Sequence, residues 1–126
     1  MRNSAKSILA ATAVSALLLA AGGQGTALAA HTEEHATIID QGKEIAFDRR
    51  KGNCLACHAI PGGVSPGNIG PPLIVMNKRF PSKEKLREQI WDPSQNNPDT
   101  MMPPFGRHMI ISEDEIDKIV EFIWSL

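Results

Sequence analysis

Two cysteines three positions apart, followed at once by a histidine, constrain this chain more than anything else in it: Cys54-Leu55-Ala56-Cys57-His58. Two thiols at that spacing can add to the two vinyl groups on one edge of a porphyrin, and the adjacent imidazole then falls beneath the iron as its proximal ligand. The string is the C-x-x-C-H signature of c-type haem attachment. One covalently attached haem c is expected, with Cys54 and Cys57 as the cofactor-binding thioethers and His58 as an axial iron ligand. A disulfide would be the default for two cysteines in an exported chain, but the immediate histidine redirects that reading. A thioredoxin-like C-x-x-C works among alternating strands and helices, which this sequence lacks. Zinc wants four ligands, and no second C-x-x-C or paired histidine completes the set.

Haem attachment of this kind takes place outside the cytoplasm, and the N-terminus fits export. Arg2 and Lys6 precede an apolar run from Ile8 to Ala21, and Ala27-Leu28-Ala29 has the small-residue spacing of a secretory cleavage site, so residues 1–29 read as a signal peptide cleaved after Ala29. A retained membrane anchor is the competing reading, disfavoured because the run is short and ends in Gly22-Gly23-Gln24-Gly25. A periplasmic chain with no membrane span after processing is expected, its functional domain covering residues 30–126. Thirteen basic residues less the leader's two leaves eleven against fourteen acids, a net of −3, which argues against a nucleic-acid partner. A mature domain of about this size holds a core only marginally. With four Phe, two Trp and no Tyr, an apolar cofactor would supply what its side chains lack.

The pattern along the chain is all-α with long loops. Ala30 to Thr37 is polar and reads as a frayed terminus. Ile38 to Arg50 reads as a helix, with Ile38, Gly42, Ile45 and Ala46 at helical spacing. Gly42 costs that helix about 1 kcal/mol, which points to a place where another helix comes close. Eight Pro and Gly residues between Ile60 and Leu73 forbid regular structure there, and a loop that long needs a reason such as wrapping around a cofactor. A short helix is expected over Leu73–Lys78, and another over Lys83–Trp91, capped by Ser82, carrying Leu86 and Ile90, and stopped by Asp92-Pro93. Asn96–Gly106 is irregular. The last helix begins at a Ser112/Glu115 capping box and carries Ile116, Ile119, Val120, Ile123 and Trp124 as one apolar stripe.

The second axial ligand should be a soft or imidazole side chain on a stiff irregular segment. Thr100-Met101-Met102-Pro103-Pro104 offers methionine braced by two prolines, and Met102 is the expected ligand. Met101 would point the other way in an extended chain and is the lesser candidate; His108, just past Phe105-Gly106, would give a bis-histidine iron. A ligating histidine normally donates its other ring N–H to an oxygen acceptor that fixes the ring. Within Gly70-Pro71-Pro72-Leu73, the carbonyl of Pro71 is the candidate, a plain turn without haem contact being the alternative. His31-Thr32-Glu33-Glu34-His35 matches a zinc-peptidase string, but it lacks a packed apolar face and a third ligand.

These residues resemble small class I cytochromes c, in which an N-terminal helix with a glycine crosses a C-terminal helix bearing an aromatic, here Gly42 and Ala46 against Phe122 or Trp124. The strings Gly42 to Asn53, Ile69 to Leu73 and Asn97 to His108 look like SoxX, the monohaem subunit of SoxAX complexes. The resemblance implies a heterodimer with a larger SoxA-type haem subunit. That complex couples thiosulfate oxidatively to a cysteine of a sulfur-carrier protein (L-cysteine S-thiosulfotransferase) and passes electrons to an acceptor cytochrome c. The residues limit the part this chain can take: both cysteines are consumed as thioethers, so no thiol is left for sulfur transfer and none of its residues is expected to be catalytic. A free diffusible periplasmic electron carrier is the alternative.

Overall fold

The computed structural model describes residues 24–126, with side chains from residue 33 onward; the expected leader over 1–29 lies outside the described residues except for the backbone of its last six. Regular structure among the described residues is wholly helical: α1 (Gln24–Phe47), α2 (Met76–Arg79), α3 (Lys83–Trp91) and α4 (Glu113–Trp124), with 3-10 turns at Cys54–Ala56 and Pro93–Gln95. None of these helices is long and apolar enough to cross a membrane.

α1 is longer at its start and shorter at its end than the apolar spacing suggests. Its polar stretch, read as frayed, is helical, and the expected boundary between residues 29 and 30 falls inside it. No proline or glycine occurs from Thr26 to Gln41, so a helix anchored by Ile38 onward propagates backward at one hydrogen bond per residue. The side chains from Glu33 to Thr37 are exposed, which is why burial periodicity does not reveal this part. The helix stops at Phe47 because Asp48 turns the chain: its carboxylate accepts the Arg50 N–H at 2.8 Å, and its carbonyl accepts from Lys51 and Asn53. α2 also shifts along the chain, from Leu73–Lys78 to Met76–Arg79. Val75 takes a left-handed conformation (φ 52°), and its N–H donates to the Leu126 carbonyl at 2.6 Å, so this stretch docks on the C-terminus.

α3 has the expected bounds. The Ser82 hydroxyl accepts from Lys85 N–H, and Leu86 and Ile90 are buried. α4 has both halves of its capping box and buries Ile116, Ile119, Val120, Phe122 and Ile123. Trp124 is only partly buried. The apolar face is wider than the expected stripe because α4 is covered by α1 on one side and α3 on the other. α1 crosses α4 at Gly42, where a Cβ would run into the Lys118 carbonyl and lie 3.0 Å from Phe122 Cβ. Phe122, not Trp124, therefore faces the notch, and it meets Phe47 edge-on with centroids 5.9 Å apart. Ion pairs Lys83–Glu121 (2.6 Å) and Arg87–Asp117 (2.5 Å) join α3 to α4.

Candidate functional site

The attachment motif sits on a tight turn directly after α1. Gly52 packs on the end of that helix, donating its N–H to the Ile45 carbonyl at 3.2 Å, and Asn53 takes a left-handed conformation that starts the 3-10 turn. Residues three apart eclipse one another in such a turn. Cys57 and His58 both donate their N–H to the Cys54 carbonyl, at 3.2 and 2.9 Å, so the two thiols and the imidazole are gathered at one place. Burial pushes the Cys54 thiol up to about 11, and the neighbouring Cys57 adds to the rise. A thiol held neutral in this way is poorly suited to thiolate chemistry.

The proline-rich loop is laced to this turn by backbone bonds: Gly67 to the Leu55 carbonyl, Gly70 to Cys57 and Leu73 to Ala59, all between 2.8 and 2.9 Å. They bring Pro71 to His58, whose Nδ1 lies 2.7 Å from the Pro71 carbonyl oxygen. A carbonyl can only accept, so Nδ1 carries the proton and Nε2 keeps its lone pair for a metal. Gly70 lies against the imidazole so closely that a Cβ would overlap the ring atoms. Arg79 of α2 grips the next carbonyl, that of Pro72, at 2.6 Å.

Cys54, Cys57, His58 and Met102 line one cavity of about 720 Å³, within the range of sites that enclose a cofactor-sized ligand. Leu86 and Ile90 of α3 and Ile119 and Ile123 of α4 form its apolar wall, while Arg49, Arg50 and Arg79 contribute cations that suit a group bearing carboxylates. Met102 is half-buried, its N–H bonded to Thr100 Oγ1 at 3.1 Å. Met101 also borders the cavity but is 77% exposed. His108 is exposed and is not among the cavity's lining residues. Paired thiols, an oriented imidazole, a soft thioether, apolar walls and a cationic edge together fit a haem. No cluster of three or more His, Cys, Asp or Glu side chains suited to a metal ion occurs among the described residues, and His35 instead lies 3.8 Å from Glu121.

Sequence reasoning missed Arg79, whose grip on Pro72 left no local pattern. It also read Asp92 only as a helix stop.

Comparison with known proteins gives three findings. The sequence pattern of the family described as "Cytochrome c" matches residues 39–126. A relative from Aquifex aeolicus (strain VF5), described only as an uncharacterized lipoprotein, is 35% identical over 75 residues, 59% of this chain and 36% of its own. The chain thus spans about a third of that relative's length. Among solved structures, the crystal structure of SoxXA from P. pantotrophus is similar, with a TM-score of 0.62 and 26% identity over 68% of this chain and 79% of that one.

Proposed function

The chain belongs to the cytochrome c family, with the all-α class I fold and one covalently bound haem c, and from that premise we propose that it is the electron-relay subunit of a SoxAX-type complex. The observation that carries this reading is the likeness in fold and sequence to the SoxXA structure over most of the cytochrome domain. In the proposed role the chain is exported, loses residues 1–29 and pairs in the periplasm with a larger SoxA-type haem subunit. The pair couples thiosulfate to a cysteine of a sulfur-carrier protein, and electrons leave to an acceptor cytochrome c.

Cys54 and Cys57 would hold the haem as thioethers, and His58 and Met102 would bind its iron. When bound, the haem supplies an iron that takes up and gives back one electron at a time. The protein's own residues supply the rest. Pro71 and Gly70 fix the His58 ring, the apolar wall would limit water at the site, and a methionine ligand would favour a higher potential than a second histidine. With both thiols tied up, the sulfur chemistry falls to the partner.

Purification from the native host tests the assembly. A second haem subunit co-eluting at fixed stoichiometry supports it, whereas a monodisperse monomer points to a free diffusible carrier. Turnover with the carrier protein as substrate tests the role: thiosulfate-dependent reduction of the acceptor should need both subunits. Full activity from the partner alone would make this chain dispensable, and activity from this chain alone would place the sulfur chemistry on the wrong subunit.

A further inference from the structure

The segment that carries Met102 is closed at its base by one carboxylate. Asp92, immediately after α3, is 5% exposed and is the buried charged residue of the described core. Its Oδ1 accepts from Ser94 N–H at 3.2 Å and from Ser94 Oγ at 2.5 Å. Its Oδ2 accepts from Gln95 Nε2 at 3.1 Å and faces Arg107 Nε at 3.3 Å. The first three bonds fold the 3-10 turn that opens the segment; the last reaches the residue that closes it. Trp91 completes the closure, because its carbonyl accepts from Gly106 and Arg107 N–H at 3.1 and 3.3 Å, and its ring abuts Gly106 where a Cβ would overlap it. Arg87 lies over the Trp91 ring, 5.1 Å from its centroid, and pairs with Asp117 and Glu113 of α4.

A buried carboxylate is tolerated only when its desolvation is offset by a full set of partners, and an apolar residue would often be at least as stable in its place. Its use lies in what it joins. We propose that Asp92 is a positioning residue for the Met102 sulfur, tying both ends of the intervening segment to the end of α3 and so setting where its middle stands against the cavity. The inference rests on Met102 as the distal ligand. Hydrogen bonds from Ser94 and Gln95, helped by Arg107, hold the Asp92 carboxyl below the usual range, so it stays ionised at neutral pH. Loosening the base lets the middle swing. The fraction of molecules with the sulfur in place then falls, and a competing external ligand gains apparent affinity by the same factor.

The experiment uses the ferric holoprotein and reads the methionine-to-iron charge-transfer band and the Kd for imidazole. Asp92→Ala should weaken the band and tighten imidazole binding on the order of ten-fold, the factor that one lost charge-assisted hydrogen bond represents. Asp92→Asn, which keeps one acceptor oxygen for Ser94, and Arg107→Ala should fall between it and the unsubstituted protein. Asp114→Asn, which removes an exposed ion pair with Lys118 away from the cavity, should leave the imidazole Kd unchanged. An unchanged Kd in Asp92→Ala, or an equal change in Asp114→Asn, overturns the proposal. If Asp92→Ala does not fold, Arg107→Ala decides, and an unchanged Kd there is equally fatal. A missing band in the unsubstituted protein removes the Met102 assignment and this inference with it; a band present but unmoved by Asp92→Ala removes the inference alone.

Discussion

The orientation of His58 depends on a missing side chain as much as on a hydrogen bond. Pro71 accepts from one ring nitrogen, while the bare face of Gly70 lets the ring lie flat against the loop. Gly70→Ala would push the ring off that bond, and overpacking of this kind costs about 1–3 kcal/mol. The expected result is a lower melting temperature together with a shifted reduction potential, read by thermal denaturation and redox titration; a shift in neither would show that the ring has room to spare. Across the cavity the two methionines differ in exposure, Met101 standing out into solvent and Met102 half-buried. Met102→Ala should abolish the methionine-to-ferric-iron band and admit imidazole, while Met101→Ala should keep the band. The opposite pattern would transfer the ligand to Met101. The Cys54, Cys57 and His58 string was legible because its chemistry is contiguous, and the Pro71 carbonyl beside His58 was reachable by asking what fixes a histidine ring.

Between elements, the crossing of α1 and α4 is set by backbone contact. Gly42 meets the Lys118 carbonyl, which cannot move away without carrying the helix with it. Gly42→Ala should improve helix propensity by about 1 kcal/mol and still lose stability overall, because the two helices must part; a stabilised variant in chemical denaturation would refute the close approach. The start of α4 is joined to the turn before the attachment motif by Lys51–Glu115 at 2.5 Å. The hydrogen bond from Lys51 and the Ser112 backbone N–H hold the Glu115 carboxyl below its ordinary range. A carboxyl depressed in the folded state contributes stability that is present above its unfolded value of about 4.3 and is lost as pH falls through the folded value. Lys51 is raised by the same pair, so its share is present below about 10.4 and is lost as pH climbs past the folded value. Glu115→Gln keeps an acceptor for the capping box but removes the charge. Its stability deficit, measured by denaturant titration from pH 3 to 7, should be full near neutrality and shrink in acid. A deficit independent of pH would assign the loss to packing.

For the whole molecule, the cavity is the organising feature: helices form one wall, and the attachment turn, the proline loop and the methionine segment close the others. The residues that line the cavity and those that form the core overlap, since Met76, Leu86, Ile90, Phe105, Ile119 and Ile123 are both buried and cavity-lining. A small domain has little stability to spare for leaving those apolar walls to water. Cys54→Ser/Cys57→Ser, made so that no haem is attached, should therefore lose most of its helical signal in far-UV circular dichroism and its amide protection. Native-like helicity and a cooperative melt in that variant would show that α1, α3 and α4 fold independently of the cofactor.

The sequence alone determined the features whose physics is local. The cysteine pair is read from covalent chemistry over five residues. Ser82 and Ser112 start helices through bonds to residues three positions on, and proline density rules out structure between Ile60 and Leu73. The tertiary structure decided everything that depends on two distant residues meeting. It placed Phe122 rather than Trp124 in the Gly42 notch, drew Val75 onto Leu126 in place of an earlier α2, and brought Arg79 to Pro72 and Arg107 to Asp92. Apolar periodicity records which face of an element is buried, so the exposed first turns of α1 left no mark in it. An ion pair or carbonyl contact between residues seven or more positions apart leaves none either, because its energy exists only once the fold has brought the two groups within reach.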